Sequence, residues 1–349
     1  MKAFSFQETG QFLPYHIGAT ARDTLQEFID IDVSADDLVR ILNRNQVYRS
    51  LFFRFIAKKT AAPDKNAEGK DKEQDSPTHR LVNLLGMIGS RNLIVALQLH
   101  KAKEGSFPVM PDGSVEIKSA DLLKTAIDSE ELFLRNNLEY SETAYAAGVF
   151  FDCFLNTQAK DPNFKKSEPY FRDIVKRAQR TGVIAYLLAE DVAGFTPKYA
   201  IAAGMLTQAG KLLLAANYPD AKGGYAELER AHEADAKLPA LARSLAERAA
   251  FGVAHEEVSA HLLHYYDVFH SLTPAVRYFR EPYCLKEVDA QNYKFAVLLG
   301  LADRMAGIWR TPVDDKDPVF GDWATPATAI LKMRKEKLIE IMKRAMNLK

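Results

Sequence analysis

AGMLTQAGKLLL, residues Ala203 to Leu214, is the stretch on which the fold turns. It lies in a half of the chain whose apolar residues recur at helical spacing almost throughout. Just before it stands Thr196-Pro197, a hydroxyl suited to an N-cap followed by a proline where a missing N–H costs nothing. Thr273-Pro274 and Thr325-Pro326 punctuate the later sequence in the same way. Between these marks Ala240–Phe251, Ala254–Phe269 and Asn292–Trp309 are expected as helices. Gly210-Lys211 is not a phosphate-binding loop, because the upstream glycine and the following Ser or Thr are missing. The glycine is expected at a helix contact and the lysine in solvent.

Working outward toward the N-terminus, Ser141 opens the apolar helix SETAYAAGVFFDCFL, and the polar stretch AKDPNFKKSEP from Ala159 reads as a loop between two halves. Ser119 and Ser129 look like caps of short helices. SFPVMPDGSVEIK, from Ser106, is the best strand candidate, with Asp112-Gly113 placed for a hairpin. Leu81–Leu99 is densely apolar and broken near Gly86–Gly89. KKTAAPDKNAEGKDKEQDSPTH, from Lys58, has almost nothing to bury and reads as a mobile loop. Ser34, with Asp36 and Asp37 in the first turn and Leu38, Ile41 and Leu42 at helical spacing, starts a helix; Gln46–Ala57 makes another. Toward the C-terminus, TPVDDKDPVFGDW is a loop anchored by Trp323. It precedes a basic amphipathic helix carrying Ile330, Met333, Ile341 and Met342, whose stripe is expected to pack on its own domain.

The expected fold is therefore all-α, with at most a small hairpin at 106–118. The segments are 1–33, of unclear fold; 34–158, with a mobile loop at about 58–77; a helical half at 159–312; and a loop and helix at 313–349. Lys plus Arg and Asp plus Glu are 46 each in 349 residues, and this zero balance argues against a nucleic-acid binder. Cys153 and Cys284 sit in apolar surroundings, as two buried thiols of a reducing compartment would. The opening MKAFSFQETGQF has no apolar signal core, and no apolar run reaches the length of about 20 that spans a bilayer. A cytoplasmic location without a membrane span is expected.

Four stretches in order carry a resemblance: LVNLLGMIGSRNLIVALQL (Leu81–Leu99), AGMLTQAGKLLL, ERAAFGVAHEEVSAHLL (Glu247–Leu263) and AVRYFREP (Ala275–Pro282). Together they resemble the HD-related output domain family, HDOD, a relative of HD-type metal-dependent phosphohydrolases. The resemblance implies a helical HD-like half and a role as a signalling output.

It also implies where an HD-type ion would sit, held by a histidine, a His-Asp pair and a later Asp that together activate bound water. On this chain those positions read Arg180, Thr207-Gln208 and Asp303, while a later His-His reads Phe279-Arg280; of the matching ligands only His255 and Asp303 survive. No metal, no cofactor and no catalytic residue are expected, and Arg180 is expected to turn its guanidinium toward Asp303 in place of the ion. His255-Glu256-Glu257 is not HExxH, and His261 with His264 is a weak metal pair. Asp303 with Arg304 also reads as an ordinary surface pair. The leading functional expectation is a non-catalytic adaptor with protein partners in a signalling pathway. The alternative is a regulatory protein that holds a nucleotide or phosphate on Arg180, Lys211 and Arg280. A surviving phosphohydrolase is the third and weakest reading.

Overall fold

A computed structural model of the chain describes residues 3–6, 19–30, 34–59, 77–104, 117–159, 164–219, 223–234, 240–267, 269–309 and 324–348. Among them there is no strand, and the fold is all-α. Asp112-Gly113, the loop residues 60–76 and Trp323 lie outside the described residues. The chain divides into two compact units, one of Pro14–Lys124 and one of Met1–Leu13 with Thr125–Lys349. The division expected at Ala159 falls inside the second of these.

The smaller unit holds α1 (Ala19–Asp30), α2 (Ala35–Arg44), α3 (Gln46–Lys59), α4 (Pro77–Glu104) and α5 (Ser119–Leu122). Ser34 and Asp37 close a reciprocal capping box at the start of α2, and Leu38, Val39, Ile41 and Leu42 bury its inner face. Within α4, Gly86 takes φ 70° and ψ 164°, which breaks the helix where the sequence suggested.

The larger unit begins with α6 (Lys124–Arg135) and α7 (Ser141–Gln158). Then come α8 (Phe164–Asp191), α9 (Pro197–Leu206), α10 (Ala209–Asn217), α11 (Tyr225–Ala234), α12 (Ala240–Phe251) and α13 (His255–Tyr266). Last are α14 (Thr273–Tyr278), α15 (Ala290–Gly307), α16 (Thr325–Leu331) and α17 (Lys335–Met346). Helix α9 is the core: it packs against α7, α8 and α15, and Ala200 to Leu206 are all buried. At Gly204 an added Cβ would lie 2.9 Å from the Thr181 carbonyl oxygen, so α8 and α9 touch backbone to backbone. Pro197–Asn217 is long and apolar enough to cross a membrane, but 89% of its apolar 18-residue window is buried in the protein interior. Helix α17 lays Leu338, Ile341, Met342 and Ala345 on the domain, with Arg344 bonded to Glu190 on α8 at 2.7 Å.

Several local expectations need correction. The polar stretch from Ala159 does not run on as loop, because α8 already starts at Phe164. Ser129 lies inside α6, where its hydroxyl donates to the Thr125 carbonyl at 2.6 Å and caps nothing. The three prolines do sit in first turns, but the threonine hydroxyls do not cap. Thr196 makes no side-chain cap bond, and Thr273 and Thr325 are already helical, leaving Leu272 and Ala324 as N-caps. Cys153 is buried, whereas Cys284 is exposed on a single 3-10 turn, Pro282–Leu285.

Candidate functional site

The site grows from the crossing of α10 and α13. An added Cβ at Gly210 would lie 2.0 Å from the His255 carbonyl oxygen, so only glycine permits this approach. Ser259 pins the crossing: it accepts the Gly210 N–H at 2.8 Å and donates to the Thr207 carbonyl at 3.1 Å. His255 and the Thr207-Gln208 pair are thereby brought to the same end of the helix pair. Lys211, expected in solvent, is instead buried and paired with Glu229 of α11, which also accepts from Tyr170 at 2.8 Å.

Asp303, on α15, is the centre of the cluster. Its carboxylate accepts from the Gln208 amide at 3.0 Å and from Arg177 at 3.0 Å, and Arg177 also donates to the Asp303 backbone carbonyl at 2.6 Å. Arg280 stands 3.8 Å away on the other side. Burial would raise the Asp303 carboxyl, but Arg177, Lys211 and Arg280 outweigh it and hold the group far below the usual carboxylate range. Asp303 is therefore no surface partner of Arg304. The cation from α8 is Arg177, not Arg180: the Arg180 guanidinium lies 5.5 Å from the Trp309 ring centroid, one helical turn away. The expected pairing of Arg180 with Asp303 is corrected accordingly.

A second carboxylate, Glu247 of α12, organises the other half. It accepts the His255 backbone N–H at 2.7 Å and faces the His255 Nδ1 at 2.9 Å. It also accepts from the Tyr225 hydroxyl at 3.2 Å and lies 3.5 Å from Arg280. His255 and Arg280 pull the Glu247 carboxyl far down despite its burial. Phe279 stands edge-on to the His255 ring at 5.8 Å and offers no donor. The structure thus gathers His255, Gln208, Thr207, Phe279, Arg280 and Asp303 and leaves Arg180 aside. Sequence reasoning missed Arg177, Glu229 and Glu247. Glu247 sits in the quoted stretch ERAAFGVAHEEVSAHLL, and a lone acid on an apolar helix face was the available signal.

An HD-type ion does not fit these residues. The Asp303 oxygens are engaged by Arg177, Gln208 and Arg280, and the Thr207 hydroxyl is spent on the Gly204 carbonyl at 2.7 Å. Glu247, His255 and Glu256 do bring ligand-type atoms within 4.8 Å of one another. Yet Arg280 faces Glu247 at 3.5 Å and Arg248 faces Glu256 at 3.7 Å, so guanidinium groups already counter the carboxylates. At His261, the Phe6 ring packs on the imidazole at 4.6 Å.

Residues 150–282 match the HDOD domain. The fold of the chain resembles that of a protein of Shewanella amazonensis SB2B provisionally named a phosphohydrolase, at TM-score 0.50 and 13% identity over 99% of this chain and 97% of that one. A likeness to MmoQ, a response regulator of Methylococcus capsulatus str. Bath, is looser: TM-score 0.38 and 16% identity over 94% of this chain and 97% of that one. No curated protein matches the sequence. The first likeness supports the HD-like helical architecture, and the HDOD match spans the core from α7 to the turn after Arg280.

Proposed function

We propose that this protein is a non-catalytic HDOD signalling module that works by presenting its helical surface to protein partners. One observation carries the reading: the carboxylate that an HD-type ion would need is neutralised by Arg177, Arg280 and the Gln208 amide. An enzyme that uses a divalent ion to lower the pKa of water keeps a position open for that water. Here two guanidiniums stand where positive charge is needed, and they cannot activate a nucleophile. The cluster ties α8, α10, α12 and α15 together as a fixed scaffold.

The test is a hydrolysis assay on p-nitrophenyl phosphate and a cyclic dinucleotide, with magnesium, manganese or nickel added in turn, alongside elemental analysis of the purified chain. The expected outcome is no turnover with any ion and no stoichiometric transition metal. Turnover that depends on one ion and disappears in Asp303→Asn would overturn the reading. For the adaptor role, a pull-down from native cells should recover a protein that the Asp303→Ala variant still captures when folded, since the proposed contact surface lies outside the cluster.

A further inference from the structure

A cleft of about 380 Å³ opens between α8 and α11, a volume in the range that holds small molecules. Tyr170, Asp173, Ile174 and Arg177 line one wall, three and four residues apart along a single face of α8. Ala226, Glu229 and Arg230 of α11 line the other. Lys211 of α10 is the deepest of the lining cations, its side chain only 5% exposed. An ammonium carries three N–H donors. Lys211 gives one to Glu229 and meets no other hydrogen-bond acceptor among the described residues. Two N–H groups of a nearly dry cation are thus left on a cleft wall, where an acceptor that enters gains most.

The charges of the lining sort into two joined pairs and one pair that is not joined. Lys211 is matched by Glu229: burial would raise that carboxyl, but Lys211 and the Tyr170 hydroxyl outweigh it and keep the acid ionised. Arg177 is matched by Asp303 at 3.0 Å. Arg230 and Asp173 stand on opposite walls, both exposed, and neither side chain is bonded to the other or to any other described residue. The lining is therefore balanced in charge, with one anchor of each sign open. A phosphate ester fits it badly, because a dianion would meet Glu229 and Asp173 with Arg230 as its only uncommitted cation. A zwitterion fits it well. Its carboxylate can take the spare Lys211 N–H groups and Arg230, its ammonium can face Asp173, and neither end is left uncompensated. The Tyr170 ring, Pro169 and Ile174 make the rest of the α8 wall apolar, and an aromatic side chain can pack offset or edge-on against that ring.

We propose that this cleft binds a small zwitterion of the aromatic α-amino-acid type, with Lys211 and Arg230 holding its carboxylate and Asp173 its ammonium. The inference goes beyond the non-catalytic reading and does not depend on it, because the Asp303 cluster keeps its own partners. Of the three cations expected from the sequence to hold an anion, Lys211 alone lines this cleft; Arg180 and Arg280 do not.

The test is isothermal titration of the full chain with L-phenylalanine, with 3-phenylpropionate, which lacks the ammonium, with phenethylamine, which lacks the carboxylate, and with L-alanine. L-Phenylalanine should bind one to one and raise Tm. Each of the other three should bind about tenfold or more weakly. Lys211→Met would strand Glu229 in a buried site, so the exposed residues Asp173 and Arg230 carry the test. Asp173→Asn should bring L-phenylalanine down to the affinity of 3-phenylpropionate and leave 3-phenylpropionate bound as before or more tightly. Arg230→Gln should weaken both by about tenfold and leave phenethylamine unchanged. The ligand-free Tm should hold in both variants, since neither side chain has a bonded partner to lose. No saturable binding of L-phenylalanine, or wild-type binding by both variants, would sink the proposal. Equal affinity for 3-phenylpropionate would overturn the ammonium contact and with it the zwitterion. Equal affinity for L-alanine would overturn the aromatic part of the assignment. A fall in ligand-free Tm in either variant would make that residue a structural one and overturn its role as an anchor.

Discussion

Two buried carboxylates in the larger unit meet opposite fates. Asp303 is 6% exposed and Asp152 4%, so both have lost nearly all their water. Asp303 has Arg177, Arg280 and Lys211 as facing charges and is held far below the ordinary range. Asp152 has no cation partner among the described residues. Its oxygens accept the Thr125 and Ala126 backbone N–H groups at 2.9 and 2.8 Å, at the start of α6, and burial still pushes its carboxyl up to about 7. Hydrogen bonds from a helix N-terminus favour the anion, but they do not offset desolvation as three nearby cations do. Asp152 is a neutral-leaning clasp between α6 and α7. Asp303 is a charged hub whose cations are its reason to stay ionised.

The largest expected effect comes from emptying the hub. Asp303→Ala leaves Arg177 and Arg280 facing each other in a nearly dry site. Because all three side chains are at most 13% exposed, the cost should be about 3–5 kcal/mol, with a Tm drop on the order of 10 °C. Adding Arg177→Met to that variant should recover part of the loss, since it removes one stranded charge. Thermal melts of the three proteins check this, and a loss within about 1 kcal/mol would mean that the hub is not truly closed to water.

A smaller effect separates the two carboxylates by pH. The folded Asp303 pKa is depressed, so its stabilisation is present above the unfolded value and fades only in strong acid. The folded Asp152 pKa is raised from 3.8 to about 7. Its contribution is full below the unfolded value and is lost as pH rises through 7, because the folded chain holds a proton that the unfolded chain releases. Melts of the wild type should therefore lose stability between about pH 5 and 7.5 relative to Asp152→Asn, which cannot titrate. The variant keeps one carbonyl acceptor for the α6 N–H groups and should fold. Parallel pH profiles for the two proteins would show that Asp152 is ionised throughout, and the contrast with Asp303 would fail.

Much of this was legible in the sequence, and the limit is physical. Helical periodicity located α2, α3, α4, α7 and α13, and the Ser34 box and the Gly86 break were readable from local chemistry. The loss of HD ligands at Thr207, Gln208 and Phe279 was readable from residue type alone. The choice of arginine was not. Arg177 and Arg180 lie three apart on one helix, so both project from nearly the same face, and only the crossing of α8 with α15 decides which reaches Asp303. Glu247 and Glu229 were hidden for a related reason. Their partners lie 8 to 59 residues away, and a buried charge on an apolar helix looks like a solvated one until its neighbours are placed.

The smallest effect tests that arginine choice directly. Arg177 donates to both the backbone carbonyl and the carboxylate of Asp303 from a site only 13% exposed, whereas Arg180 covers the Trp309 ring from a half-buried position. Arg177→Ala strips the hub of its closest cation and leaves Asp303 to Gln208 and a more distant Arg280. The cost should approach the buried-pair range of about 3 kcal/mol or more. Arg180→Ala gives up a guanidinium–aromatic contact at a part-exposed position, for which about 0.5–1 kcal/mol is the ordinary scale. Urea melts of the two single variants are sufficient, with Asp303 untouched in both. Should Arg180→Ala cost as much as Arg177→Ala, the cation that replaced the ion would be the one three residues further along α8, and the hub would have to be redrawn around it. If Arg180→Ala stays within about 1 kcal/mol while Arg177→Ala does not, one helical turn separates the arginine that stands in for a metal from one that does not reach Asp303.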